Sequence, residues 1–410
     1  MTEALTLKNA LLPKSLLRTP EQVGGVPQGD SLHGDLLIGD GQRVNLLPPS
    51  QGAPQHLVMT PLTECHVHLD KCFTFSRLNY TGGDLAAAIQ AQALDRATWT
   101  PQDIETRATR ALDDLYAAGC RRLRTHVDWS YGAEATTPPV AWHVLTEIAE
   151  AQRDRIDIQI APLVTIDDLA DLDTAEVIAR MAAQKSSVLG AFVLGQPDQA
   201  KGIENAFLMA QRHDLALDFH VDETLDATFG GLELIADMAL KMRLDQPVLC
   251  GHACTLSTKP ATDRARILDK LAQAGITLAV LPSTNLYLQG RTTDAPSARG
   301  LAPIHALQSA GVSVAIGTDN VEDAFYPLGR FDPRTSLELA FSAAHLDPPL
   351  GQYLPLITQN AERAMGHEPA WIDTSAARDL LVYDVPSVAN FITSKTAPKP
   401  LTDLLKGARA

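Results

Sequence analysis

The stretch Thr63-Glu64-Cys65-His66-Val67-His68-Leu69-Asp70-Lys71 concentrates side chains able to grip a metal ion. It follows the apolar run Leu57-Val58-Met59, ends on polar residues, and reads as a buried strand entering a loop. Residues two apart in a strand share a face, so His66 and His68 are expected to project side by side. Two imidazoles at a strand end suit a divalent ion. Three other apolar runs close on comparable groups: Asp218-Phe219-His220-Val221-Asp222-Glu223, Cys250-Gly251-His252, and Gly317-Thr318-Asp319-Asn320. His66, His68, His220 and Asp319 can together hold one Zn²⁺ or Fe²⁺ and leave a position for water. Such an ion lowers the pKa of its water toward about 7, making hydroxide available as a nucleophile. Asp319 then suits acceptance of the water proton. Glu223, three residues past His220, suits delivery of a proton to a ring nitrogen and a leaving amine. His252 suits orientation of the hydroxide or stabilisation of an oxyanion.

These residues need a scaffold that brings distant segments to one rim. Strands are expected at Leu57 to His66, Arg122 to His126, Ile158 to Val164, Ser187 to Leu194, Ala216 to His220, Pro247 to His252, Thr277 to Leu281 and Val312 to Gly317. Helical patterns lie between them, among them Pro101 to Ala118, Val140 to Arg153, Thr174 to Lys185, Ile203 to His213, Gly231 to Met242 and Thr262 to Ala274. Eight strands alternating with helices over about 300 residues predict an α/β fold, a (β/α)8 TIM-type barrel, whose active site gathers at the C-terminal strand ends. A doubly wound open sheet is the alternative, but no Gly-x-Gly-x-x-Gly follows a strand. Short runs such as Leu5-Thr6-Leu7 and Asp35-Leu36-Leu37-Ile38-Gly39 suggest antiparallel strands before the barrel, Leu46 to Gln55 reads as a linker, and Ala377 to Asp384 suggests a strand after it. The expected organisation is a small β domain from residues 1–57 plus 367–410 around a catalytic barrel of 58–366.

The chain has 410 residues, a net charge of −15 and five scattered cysteines. The acidity argues against nucleic acid or an anionic membrane as partner. The cysteines do not form a disulfide framework, and Cys250 and Cys254 read as packing residues. Without a signal segment or an apolar span the expected location is cytoplasmic, and the expected assembly is a homo-oligomer. His126 closes the second strand, where a supporting or pocket role is open. The fourth strand end, Val188-Leu189-Gly190-Ala191-Phe192-Val193, holds no lysine to bridge a second metal, so a mononuclear site is expected.

With these residues in place the chain resembles the amidohydrolase superfamily, in its cytosine-deaminase-like branch. The likeness rests on His66-Val67-His68-Leu69-Asp70, Arg124-Thr125-His126-Val127-Asp128, His220-Val221-Asp222-Glu223, Gly251-His252, Asn285-Leu286-Tyr287-Leu288-Gln289-Gly290-Arg291 and Gly317-Thr318-Asp319-Asn320. It implies His66, His68, His220 and Asp319 as ligands, Glu223 as proton shuttle, His252 on the hydroxide and Leu85 as a pocket wall. The departures fall on the substrate side. Thr165 stands where cytosine deaminases carry a pyrimidine-reading glutamine, Asn320 replaces a second aspartate, and Phe325 replaces a tryptophan. Gln196, at the fourth strand end, is either a substitute amide or a turn residue. The implied function is a metal-dependent hydrolytic deaminase, a hydrolase of C–N bonds other than peptide bonds, acting on a small cytosine-like heterocycle. One alternative is cleavage of a cyclic amide or release of an alkylamine from a triazine-like ring. Another, a catalytically dead binding barrel, conflicts with the retention of every ligand and of Glu223.

Overall fold

The computed structural model describes residues 5–38, 44–50, 52–79, 82–130, 132–295 and 298–407. Eight parallel strands follow one another in chain order: β1 (Leu62–Val67), β2 (Cys120–Asp128), β3 (Asp157–Thr165), β4 (Val188–Val193), β5 (Ala216–Val221), β6 (Val248–His252), β7 (Thr277–Val280) and β8 (Ser313–Ile316). The sheet curls until its ends meet at an isolated bridge between Val67 and Asp319, where the Asp319 N–H donates to the His66 carbonyl at 2.8 Å. This is the expected (β/α)8 barrel. The strand Val188–Val193 is a continuous apolar run, as a strand covered on both faces allows, whereas β1, β2 and β5 carry buried polar side chains among their apolar ones.

Local chemistry sets the helices. The helix Pro101–Ala118 starts with Pro101 after Thr100, whose hydroxyl accepts from the Asp103 N–H, and stops at Gly119 with φ 107°. Ile104, Ala108, Ala111, Leu112 and Leu115 recur along one face of it and are buried. Gly119 has a second reason to be glycine: a Cβ there would stand 2.0 Å from the Tyr383 hydroxyl, which donates to the Ala118 carbonyl at 2.8 Å. Gly231–Met242 likewise has the predicted bounds. The helices Leu85–Arg96 and Pro333–Ala344, which the sequence reading did not assign, are capped by Asp84 and Asp332.

A second, mixed sheet forms from the two flanks, in the order Lys399–Pro400, Leu381–Tyr383, His56–Met59, Leu5–Pro13, Ser31–Ile38, Val26–Gln28, with Val44–Leu47 also on Ser31–Ile38. The expected single strand Leu57 to His66 is therefore two. His56–Met59 pairs with Leu5–Pro13 and Leu381–Tyr383 in the flanking sheet, and only Leu62–Val67 enters the barrel. Pro61, which has no N–H to give a ladder, sits at the break. The strand of Ala377 to Asp384 shortens to Leu381–Tyr383 behind a 3₁₀ turn, and Val44–Leu47 intrudes on the expected linker. Gly39, the end of one predicted run, lies outside the described residues, as does Gln51 of that linker. One hydrophobic cluster runs from Leu7 to Leu405, so sheet and barrel share a core. All five cysteines are free and buried. Among the described residues no helix is long and apolar enough to cross a membrane.

Candidate active site

The C-terminal strand ends bring the predicted residues together. His66 and His68 lie at the end of β1, where the pairing with β2 slips twice and so re-aims the side chains. His66 is the hub: its ring centroid lies 4.2 Å from that of His126, 4.4 Å from His220 and 5.3 Å from His252. Two glycines make room for it. A Cβ on Gly251 would come within 2.8 Å of His66 Cε1, and one on Gly317 within 3.0 Å of His66 Cβ. His68 Nε2 is 3.2 Å from His220 Nε2 and 3.3 Å from Asp319 Oδ1, and His66 Nε2 is 3.7 Å from the same oxygen.

Backbone geometry at this rim is unusual. Asp222, His252 and Asp319 have φ of 50°, 68° and 63°, a left-handed region that non-glycine residues enter at a cost and mostly at functional sites. Each is held there. The Asp222 carboxylate accepts from Gly231 and Leu232 N–H groups, both at 3.0 Å, capping the next helix and turning Glu223 toward the cavity. Asp319 is fixed by its bridge to β1, and Thr318 before it donates its N–H and hydroxyl to the Glu64 carboxylate.

The imidazoles fit a metal. Burial pushes His66 and His220 far below the ordinary imidazole range, with help from neighbouring histidines, and burial and then Lys71 do the same to His68. They are therefore neutral, with lone pairs available. Both ring nitrogens of His66 and Nδ1 of His68 and His220 are buried without a hydrogen bond. Candidate ligand atoms of His66, His68, His126 and His220, and again of His66, His252 and Asp319, lie within 4.8 Å of one another. Buried polar atoms this close and this poorly paired fit a shared cation. His126 Nε2 lies 3.2 Å from Asp218 Oδ1, off-line for a hydrogen bond. Asp218 also meets Arg124 at 2.9 Å, which with His126 outweighs burial and holds its carboxyl low. His126 thus has a carboxylate behind it and the two ligand rings in front.

The acid–base groups differ in state. Burial pushes Asp319 up to about 7, because the Thr284 hydroxyl offsets only part of the cost. Glu223 is pushed well above the carboxylate range by burial and then by the charge of Asp319. His252 is pushed down to about 3 by burial and His126. Asn285 Nδ2 donates to His252 Nδ1 at 2.9 Å and to Glu223 Oε1 at 3.3 Å, while Gln289 Nε2 donates to the Glu223 carbonyl at 3.0 Å. With Nδ1 accepting, the proton of neutral His252 sits on Nε2.

A cavity of about 910 Å³, counted to its mouth, opens over these groups and touches His68, His220, Glu223, His252, Asp319 and Asn320. Leu85 and Phe325 line it as the resemblance implied. Thr165 does not: the β3 residue on its wall is Leu163, while Thr165 pairs with Phe192 at the end of the strand. Asn320 reaches the cavity, but its Nδ2 is tied to Asp323 at 2.6 Å. Gln196 is a turn residue: its Oε1 accepts from the Leu194 N–H at 2.6 Å and its Nε2 donates to the Phe192 carbonyl at 3.2 Å. Lys71 and Asp128, missed in the sequence, also line the cavity. Strand alternation carried a signal for Asp128, since Arg124, His126 and Asp128 share one face of β2.

Comparison with known proteins bears on the family and the fold. Over 374 residues the chain is 29% identical to a pterin deaminase of Rhizobium rhizogenes, covering 88% of this chain and 84% of that protein. It is 22% identical over 348 residues to an N-isopropylammelide isopropyl amidohydrolase of a Pseudomonas species, covering 80% of each. The structure of 5-methylcytosine deaminase from Klebsiella pneumoniae liganded with 5-fluorocytosine superposes with a TM-score of 0.81 over 97% of this chain and 96% of that one, at 23% identity, a likeness of fold. The model of the amidohydrolase family matches residues 133–398, more than half of the sequence. The chain belongs to the amidohydrolase family.

Proposed function

We propose that this chain is a metal-dependent hydrolytic deaminase that releases ammonia from a small, cytosine-like nitrogen heterocycle. The observation that carries this reading is the convergence on one cavity of His68, His220 and Asp319 with Glu223 and His252, and of His66 with the same cluster of ligand atoms. In this reading the first four hold one divalent ion, Zn²⁺ or Fe²⁺, which when bound supplies an acidified water. Residues 62–366 form the catalytic barrel, with the flanking β domain rejoined at the Thr60-Pro61 break.

The chain's own groups then divide the work. Asp319 accepts a proton from the attacking water as its oxygen bonds to the amino-bearing ring carbon. Glu223, kept protonated by burial, gives its proton to the adjacent ring nitrogen. The resulting Glu223 carboxylate then takes the remaining hydroxyl proton from the adduct and passes it to the amino group, the C–N bond breaks, and ammonia leaves while the ring carbon keeps the oxygen as a carbonyl. His252 directs its Nε2–H at the developing oxyanion, and Asn285 fixes that tautomer. Leu85, Leu163 and Phe325 shield the ring from water.

The test is ammonia release by metal-replete protein from cytosine, isocytosine, 5-methylcytosine, creatinine, ammelide-type triazines and aminopterins, with Glu223→Gln as control. Release from a panel member is expected, with at least about a 10³-fold loss of kcat in the variant and unchanged metal content. Near-normal turnover by Glu223→Gln would remove the shuttle role. Silence across the panel would favour the second reading, cyclic-amide hydrolysis or alkylamine release, which the likeness to the isopropylammelide hydrolase supports.

A further inference from the structure

Of the polar groups on the cavity wall, Lys71 and Asp128 have no part in the chemistry above, yet they are built in with care. The Lys71 side chain is 3% exposed and its Nζ lies 2.5 Å from Asp128 Oδ1; the Asp128 side chain is 19% exposed. Both are anchored from behind. The Asp128 N–H donates to Asp70 Oδ2 at 2.8 Å, and Arg107 donates to the Asp70 and Cys72 carbonyls on either side of Lys71 at 2.7 and 3.0 Å. Neither side chain exhausts its hydrogen-bonding capacity. An ammonium has three donors, and among the described residues Lys71 spends one, on Asp128. Among the same residues no donor reaches Asp128 Oδ2. A buried surface ion pair with this much unused capacity is a poor stability device, because burial costs more than one contact returns. Facing a cavity, it offers one donor and one acceptor side by side.

We propose that Lys71 and Asp128 are the substrate-recognition pair and that they read the edge of a cyclic amide. The ring carbonyl accepts from Lys71 Nζ and the adjacent ring N–H donates to Asp128 Oδ2. This rests on the deaminase reading and narrows its substrate to aminated heterocycles carrying –NH–C(=O)– beside the reacting carbon. Charge favours a neutral edge over a carboxylate: the pair itself sums to zero, and the buried carboxyls of Asp70 and Asp323 stand nearby. It also explains how the site does without a glutamine at position 165 and an acid at 320. The Lys71 ammonium lies 4.8 Å from the Phe325 ring centroid, so Phe325 closes the ring plane next to the same edge.

The test compares 2-amino-4-oxopteridine and isocytosine, which carry this edge, with their N3-methyl derivatives and with 2-aminopyrimidine, which lacks the carbonyl. Calorimetric Kd on metal-replete protein and kcat/KM for ammonia release are both read. Wild type should prefer the intact edge by at least about tenfold. Asp128→Ala should erase the preference for N–H over N-methyl, and Lys71→Met should reduce, without erasing, the preference over 2-aminopyrimidine, which lacks the ring N–H as well as the carbonyl. Asp128→Asn, which keeps an acceptor of the same size, guards against misfolding and should retain part of the preference. Equal discrimination in wild type and both truncating variants, even with weaker binding overall, would overturn the proposal and leave a structural ion pair. Absence of ammonia from every probe would refute the deaminase reading alone, and the Kd ratios would still decide the recognition pair.

Discussion

Asp35 in the flanking sheet and Asp319 on the barrel rim are both buried aspartates. Asp35 accepts from the Asn9 N–H at 2.9 Å and the Ser50 N–H at 3.2 Å on one oxygen and from the Ser50 hydroxyl on the other. Burial pushes its carboxyl up, but Ser50, Asn9 and Lys8 outweigh it, and the group stays below the usual aspartate range. Asp319 has neither oxygen in a well-formed hydrogen bond and is pushed up to about 7. Asp373, which pins Arg18 and Thr19 through two N–H groups and a hydroxyl, repeats the first pattern. Where the chain uses a carboxylate to hold itself together, it supplies the donors. Where it leaves one bare, as at Asp319, the proposed ion would supply the missing partner.

Four variants, read in five measurements, test that contrast. Asp319→Ala should lose metal and activity together while the protein stays folded; metal content equal to wild type would remove Asp319 from the ligand set. Asp35→Ala should do the reverse, leaving kcat unchanged and lowering unfolding free energy by roughly 2–4 kcal/mol, because buried N–H groups lose their acceptor. The pH dependence has a definite sign. With its pKa depressed on folding, Asp35 contributes its full stabilisation above the unfolded value near 3.8 and loses it as pH falls through the lower folded value. Denaturant titrations of wild type and Asp35→Ala should thus converge only in strong acid. Gly251→Ala, which crowds His66, should weaken metal affinity by about tenfold with little change in Tm, a loss typical of displaced ligand support. At the small end, Lys399 pairs with the 40%-exposed Asp384 at 2.7 Å, and Lys399→Ala should shift stability by no more than about 0.5 kcal/mol.

Much of this was legible because four of the barrel strands, those leading to His66, His220, His252 and Asp319, end in polar clusters, and those clusters meet on one rim. That His66, His68, His220, Glu223, His252 and Asp319 would meet was legible from position alone once the strands were counted. Helices with strong caps, such as Pro101–Ala118, were readable to the residue. Leu85–Arg96 was not, since only Ala88, Gln92 and Asp95 of its twelve residues are buried and no apolar stripe marks it. The division of Leu57 to His66 depends on which sheet each half joins, which a local pattern does not encode. Thr165 lies off the cavity wall for a related reason: alignment gives a position, whereas the wall of a cavity depends on where the strand stops. Lys71 and Asp128 are 57 positions apart, and their meeting is a property of the closed barrel.

The Val67–Asp319 bridge has a bearing on how the molecule ages and moves. A barrel closes at one seam, and here the seam passes through the residues proposed to do the chemistry. The Asp319 amide, hydrogen-bonded to His66, is therefore a latch on the architecture and a component of the active centre at once. Its exchange with solvent deuterium reports barrel opening and loss of catalytic geometry as one event. Whatever lengthens the lifetime of that single closure lengthens the working life of the enzyme.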